Sequence, residues 1–276
     1  MNKLKFSNNS SCLATYIIIL LSFFSHFLAC GQNASDIQSR LNENEIAIEY
    51  IAHACFKIHT KKHSILLDPY ADKIWLGYNF PKNIGADAVF STHPHYDHDG
   101  GIFRGITPYW EDNIDLYQDA GEYRVGEFLV TGIPGKHAEP YGKEFGQKNL
   151  IWIIEVLGIR IAHWGDNGPI TDTLLTALHD IDILMLPIDD EDHILKKDEL
   201  SQIIQKINPG ILVPMHYRLD DLEDEGNPSN LGSIEQFVET SENVLQLGKH
   251  IKVFSKNKHS ETMMTIVFQH SPIVTK

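Results

Sequence analysis

Ser91-Thr92-His93-Pro94-His95-Tyr96-Asp97-His98-Asp99-Gly100-Gly101 is the stretch whose chemistry governs how the rest of this chain is read. His93, His95, Asp97 and His98 can each donate a lone pair to a divalent cation, and they fall within six consecutive positions. Ahead of them Ala86-Asp87-Ala88-Val89-Phe90 reads as a short buried strand, and behind them two glycines let the backbone turn away. The pattern is a metal site on the loop leaving a strand. Ligands on one such turn need partners from other strand ends, so further donors are expected in equivalent places along the chain.

Three residues occupy such places. His137 ends the segment after strand-like Phe128-Leu129-Val130, Asp166 follows the apolar run 159–163, and His216 follows the run 211–213. Each lies shortly beyond the carboxyl end of its run, the edge at which an α/β sheet gathers ligands. His163 and His53 compete with His137 for the third place. Period-two alternation predicts antiparallel strands over 45–51, 54–59 and 64–67, with Ile46, Ile48 and Tyr50 on one face of the first. A second apolar series starts at Leu150. From there strands near 181–187, 211–214, 251–254 and 263–268 alternate with helices expected over 171–179, 198–207 and 233–243. A pair of sheets flanked by helices accommodates that order, and no composition break inside 45–270 argues for two domains.

The chain has 276 residues, no internal repeat, and a formal charge of −14, which becomes −16 once Lys3 and Lys5 are removed with the first 29 residues. A surface that acidic, without a Lys/Arg cluster, disfavours nucleic acid as a partner. Lys3 and Lys5, followed by a mostly apolar run over 13–29, give the layout of an export signal rather than of a full membrane span. Ala29 directly before Cys30 resembles a lipobox, with Phe27 departing from the usual aliphatic residue, so 1–29 is expected to be a lipoprotein-type signal peptide. Cys30 is then the lipid anchor to a membrane, polar 30–44 a tether, and 45–270 the folded domain, periplasmic or displayed at the cell surface. With Cys12 in the signal and Cys30 lipidated, Cys55 remains alone in an apolar strand as a buried small hydrophobe.

His93-x-His95-x-Asp97-His98, followed in order by His137, Asp166 and His216, resembles the metallo-β-lactamase superfamily. His53-Ala54-Cys55-Phe56, Ile65-Leu66-Leu67-Asp68-Pro69, His163-Trp164-Gly165-Asp166, Leu186-Pro187-Ile188 and Val213-Pro214-Met215-His216-Tyr217 resemble its small stand-alone hydrolases, the group that includes ascorbate-6-phosphate lactonase-like proteins. The resemblance spans about 45–220. It implies an α/β fold, a single-domain αβ/βα sandwich with a two-metal site in a cleft at the sheet edges. It also implies that His93, His95 and His137 hold one metal, Asp97, His98 and His216 the other, and that Asp166 bridges both. The sequence departs from the family at Ala52, where glycine is usual, and in Asp189-Asp190-Glu191-Asp192, where glycines are common.

Imidazoles and carboxylates suit zinc, with manganese and iron as alternatives. Two such cations can share a hydroxide, lower its pKa toward neutrality and polarise a carbonyl or phosphoryl group. The expected function is therefore a metal-dependent hydrolase acting on an ester, lactone, amide or phosphodiester bond of a small or lipid-like substrate. Asp97 is the expected catalytic group, ligating and orienting the nucleophile. Asp68 is expected to fix an imidazole tautomer from behind the ligands, and His53, His163 and His193 are candidates for supporting roles or for proton donation to the leaving group. Trp75, Tyr78 and Phe80 divide between core packing and a substrate lid, and 189–192 between a solvated turn and repulsion of anionic substrates. The competing reading is a lipoprotein that binds a metal or ligand without catalysis.

Overall fold

Alternating apolar residues pair strands β1 (Glu45–Ala52), β2 (Cys55–His59) and β3 (Ser64–Leu67) into an antiparallel meander. The computed structural model describes residues 34–276 other than 83, 111–112, 192, 224–225, 227–228 and 257–261. β4 (Ala88–Phe90) joins β3 in parallel and β5 (Asp115–Tyr117) joins β4 in parallel. β6 (Gly121–Val125), β7 (Phe128–Lys136), β8 (Lys148–Val156) and β9 (Ile159–His163) continue as an antiparallel run. β10 (Ile183–Pro187) and β11 (Ile211–Met215) then add in parallel to β9, followed by β12 (Val244–Gln246), β13 (Ile251–Ser255) and β14 (Met264–Val267).

The result is a six-stranded sheet in the order β13-β1-β2-β3-β4-β5 facing an eight-stranded sheet in the order β12-β14-β11-β10-β9-β8-β7-β6. One apolar core joins them. Phe90 on β4 meets Trp152 on β8 edge to face at 5.0 Å. Each buried Ile or Leu of this seam contributes roughly 1.5–3 kcal/mol relative to exposure. The helices are short: α1 (Ala34–Arg40), α2 (Asp172–Ala177), α3 (Lys197–Ile207) and α4 (Glu235–Thr240). α3 turns Leu200, Ile203 and Ile207 inward, the 3.6-residue spacing legible in its sequence. This is the α/β sandwich of metallo-β-lactamase type, in one domain, that the resemblance implies.

Several boundaries differ from expectation. The signal peptide and Cys30 lie outside the described residues, and among the described residues no helix is long and apolar enough to cross a membrane. The stretch read as a tether contains α1, whose Ile37 and the following Leu41 bury against Ala47 on the outer face of β1; two apolar residues four apart make one small sticky stripe in a polar segment. At the other end the domain runs past 270, since Ser271 N donates to Ile51 O at 2.9 Å and Val274 is buried. β6 and β12 are strands that the pattern did not announce, being short and half exposed.

Candidate metal centre

The parallel strands β3 and β4 in one sheet and β9, β10 and β11 in the other bring their carboxyl ends to a common edge. Phe90 anchors the motif, held at 5.0 Å by both Tyr117 and Trp152. Beyond it the chain leaves the core and is tied down immediately: Asp99 accepts from Gly101 N at 2.7 Å and from Phe103 N at 2.9 Å, and Gly100 N donates to Pro69 O at 2.7 Å. These bonds fix the turn that carries the four donors.

Two groups of donors result. His93, His95, His137 and Asp166 form one, and His53, Asp97, His98 and His216 the other; within each, one donor atom per residue lies within 4.8 Å of all the rest. Asp166 reaches across both: its Oδ2 is 3.6 Å from His93 Nε2, 3.5 Å from His137 Nε2 and 3.4 Å from His216 Nε2, and its Oδ1 is 3.3 Å from His98 Nε2. All seven residues named from the sequence thus converge. His53, anticipated as a supporting residue and as a rival to His137 in the first group, sits instead in the second group with Nε2 2.9 Å from Asp97 Oδ2.

The groups behind the donors decide which nitrogens face inward. Fully buried Asp68 accepts from His98 Nδ1 (2.7 Å), Thr92 N (2.7 Å) and Thr92 Oγ1 (2.7 Å). Because the Thr92 hydroxyl spends its proton on Asp68, it accepts from His93 Nδ1 at 3.0 Å. His137 Nδ1 donates to Ala138 O at 2.8 Å. His93, His98 and His137 therefore turn a bare Nε2 lone pair into the centre. His98 Nε2, His137 Nε2, His216 Nε2 and Asp166 Oδ1 are buried without a hydrogen-bond partner. His98 Nε2 faces Asp97 Oδ2 at 3.2 Å and Asp166 Oδ1 at 3.3 Å. A lone pair opposed to two carboxylates needs positive charge between them, as a proton or a cation. This donor set fits divalent metal.

The electrostatics agree. Burial alone would raise the Asp97 carboxyl, but His98, His216 and His53 hold it well below the usual carboxylate range. Burial acts likewise on Asp166, and His216, His98 and His137 overcome it. Burial would lower His98 and His216, yet the carboxylates, led by Asp166, lift His98 well above 6.5 and His216 to about 9. For His53 burial wins, then repulsion from His216, and the imidazole falls to about 3.

A cavity of roughly 350 Å³ opens above the donors. Trp75 lines it, half-buried, while Tyr78 and Phe80 are core residues, so the aromatic loop divides between the two expected roles. His193 also lines it, stacked between Tyr141 at 5.0 Å and Trp75 at 6.2 Å. His163 does not line it: fully buried, it donates from Nε2 to Ala54 O at 2.9 Å and lies 3.7 Å from Asp68, which makes it a structural strut and removes it as a proton donor. His53, equally enclosed, is removed from that role for the same reason. Of the acidic run, Asp189 Oδ1 accepts from His193 N at 2.9 Å while its Oδ2 is buried without a hydrogen-bond partner, and Asp190 accepts from Gln236 N at 2.8 Å at the start of α4; Asp192 lies outside the described residues. Sequence reading missed the rim residues Arg104, Tyr141, Glu144 and Asn230, which sit in loops with no periodicity to mark them.

Fold and site together define a two-sheet sandwich with a His/Asp cluster at the shared strand edge. Residues 47–216 match the family described as the beta-lactamase superfamily domain, and the chain belongs to it. A UPF0173 metal-dependent hydrolase of Carboxydothermus hydrogenoformans is 26% identical over 190 residues, covering 62% of this chain and 84% of that one. Its counterpart in Methanosarcina barkeri is 25% identical over 227 residues, covering 75% and 98%. Among solved structures, one from Thermotoga maritima, named as a Zn-dependent hydrolase of the metallo-beta-lactamase superfamily, superposes with a TM-score of 0.60 at 21% identity, covering 82% of this chain and 100% of that one. The metallo hydrolase Igni18 of Ignicoccus hospitalis gives 0.51 at 18% identity, covering 77% and 100%.

Proposed function

We propose that this chain is a metal-dependent hydrolase that holds two divalent cations, zinc foremost with manganese or iron as alternatives. It cleaves an ester, lactone, amide or phosphodiester bond of a small or lipid-like substrate. The observation that carries the reading is the set of buried, unpartnered lone pairs on His98, His137, His216 and Asp166, with His98 aimed inward by Asp68 and His137 by the Ala138 carbonyl. The relatives named as metal-dependent hydrolases support it.

His93, His95 and His137 would hold one cation, Asp97, His98 and His216 the other, and Asp166 both, with His53 supporting Asp97 through its 2.9 Å contact. Two bound cations supply Lewis-acid polarisation of the scissile group and a water acidic enough to attack at neutral pH. Asp97, kept ionised by its imidazoles, would both hold its cation and orient the attacking water through its carboxylate. Trp75 and Ile194 exclude bulk water along the cleft wall, and His193 stands where it can pass a proton to the departing group. Metal analysis of the purified protein, with a panel of ester, lactone, phosphodiester and β-lactam substrates, tests this. Turnover lost in Asp97→Ala with an unchanged melting curve supports the enzyme. A metal-loaded protein inactive on the whole panel would make it a binding protein instead.

We further propose that the chain is exported and anchored through a lipid on Cys30, on the strength of the apolar run ending in Ala29-Cys30. Globomycin treatment should leave a slower-migrating precursor, and an unchanged mobility would overturn the anchor.

A further inference from the structure

Arg104 closes the short helical turn after Gly101 and reaches over the rim of the cleft. Its guanidinium carbon lies 5.5 Å from the centroid of the Tyr96 ring, so the group is steadied over an aromatic face. Arg104 Nη2 pairs with Glu144 Oε1, and that oxygen lies 4.0 Å from His95 Nε2. A carboxylate thus stands between a guanidinium and an imidazole of the metal centre. The pair is loosely held: the two side chains are 42% and 47% exposed. Glu144 rides on a short turn between Gly142 and Gly146, both left-handed. An exposed pair of this kind adds little stability. Among the described residues lining the cleft, Arg104 is the one side chain with a permanent positive charge, in a chain whose net charge is −14. The planar fork of a guanidinium matches paired oxygens of a carboxylate better than any other side chain.

We propose that Arg104 sets the specificity of the cleft by binding a carboxylate on the substrate, and that Glu144 is the internal stand-in which this carboxylate displaces. The inference rests on reading the cleft as the substrate site. An incoming carboxylate in the place of Glu144 lies beside His95, so the scissile bond is a few bonds away from it, over Asp97 and Asp166. The favoured substrates are therefore small carboxylated esters, lactones or amides, and their uncharged analogues are discriminated against although the protein is acidic. A neutral or cationic substrate would leave the Arg104–Glu144 pair closed.

Calorimetric titration of the metal-loaded protein with glutarate and with butyrate tests this without turnover. One carboxylate of either probe can reach the metals, and only glutarate has a second for Arg104. Glutarate should bind at least about tenfold tighter than butyrate, the worth of one charge-assisted bidentate contact. Arg104→Met should abolish that gap and Glu144→Gln should widen it, each with the melting curve intact. A gap that persists in Arg104→Met overturns the proposal. So does an equal weakening of glutarate in both variants, which is what a mere latch between two loops would give. An Arg104-dependent gain for 3-phosphonopropionate with none for glutarate would overturn the carboxylate assignment. A protein that shows the gap yet hydrolyses nothing in the panel refutes the hydrolase reading alone.

Discussion

Asp68→Asn changes one oxygen to an amide and nothing in volume, yet it should disarm the centre. In the native chain Asp68 Oδ1 takes Thr92 N, while Oδ2 takes both Thr92 Oγ1 and His98 Nδ1, all at 2.7 Å. If the asparagine keeps its oxygen on Thr92 N, its NH2 faces His98, whose Nδ1 must become an acceptor. The proton then moves to Nε2 and closes the lone pair aimed at the metal. If the amide flips instead, the buried Thr92 N–H meets another donor and is orphaned, at a cost of about 1–3 kcal/mol. The first route costs a ligand, and the Thr92 hydroxyl, free to rotate, stops enforcing the His93 tautomer as well. Loss of a partner behind a ligand weakens metal binding roughly 10- to 100-fold, about 1.4–2.7 kcal/mol. With two ligands served by one carboxylate, the upper end of that range is expected. Competition with a chromophoric chelator measures the affinity, and a melt in chelator separates it from stability of the metal-free fold. If zinc affinity stays within about twofold of wild type, the account of Asp68 as the setter of tautomers is wrong.

Asp97→Ala should lower turnover by roughly 10²–10⁴-fold if the carboxylate manages the proton of the nucleophile, as read from initial rates at saturating metal; a smaller loss would reassign it to metal holding alone. Gly165→Ala should destabilise by about 2–4 kcal/mol, because its φ is +57° and the new Cβ would lie 2.7 Å from Thr92 Oγ1 and Asn149 Oδ1; urea melts measure this. Away from the site, Glu49 Oε2 sits 2.8 Å from His59 Nε2. Burial would raise the Glu49 carboxyl, but His59, Lys57 and His250 bring it below 4.5. A carboxylate lowered on folding contributes stability above its unfolded value and loses it as pH falls through the folded one. The stability gap between wild type and Glu49→Gln should therefore be full above pH 4.5 and close below it. A gap independent of pH would refute the assignment.

Legibility of the site followed the range of the signal. His93 to His98 could be read because four donors share one turn, and Asp166 and His216 because each follows an apolar run that could only be a buried strand. His53 was a candidate for the place that His137 fills, not for the group it joins beside Asp97: it occupies the His53–Ala54 corner between β1 and β2 with φ of +57°, where a bulky residue is uncommon. A histidine at a hairpin corner between two fully buried strands was the available clue. Arg104 and Glu144 meet across forty residues of chain that include β5, β6 and β7, and no local pattern encodes that meeting. The α1 segment was misjudged for the opposite reason. Its composition is polar, and only Ile37 and Leu41 reveal the face that packs.

The donors do not all belong to one half of the sandwich. His93 to His98 hang from β4 in the six-stranded sheet, whereas His137, Asp166 and His216 follow β7, β9 and β11 in the other. The corner at residues 53–54 is stitched to the second sheet as well, through His216 N to His53 O at 3.1 Å and His163 to Ala54 O. A cation seated there is a rivet through the seam, and its full set of ligands exists only after the two sheets have closed on each other. Occupancy is then decided wherever that closure is completed. The ion supply where the two sheets close, rather than intrinsic preference among similar divalent metals, would then select the occupant.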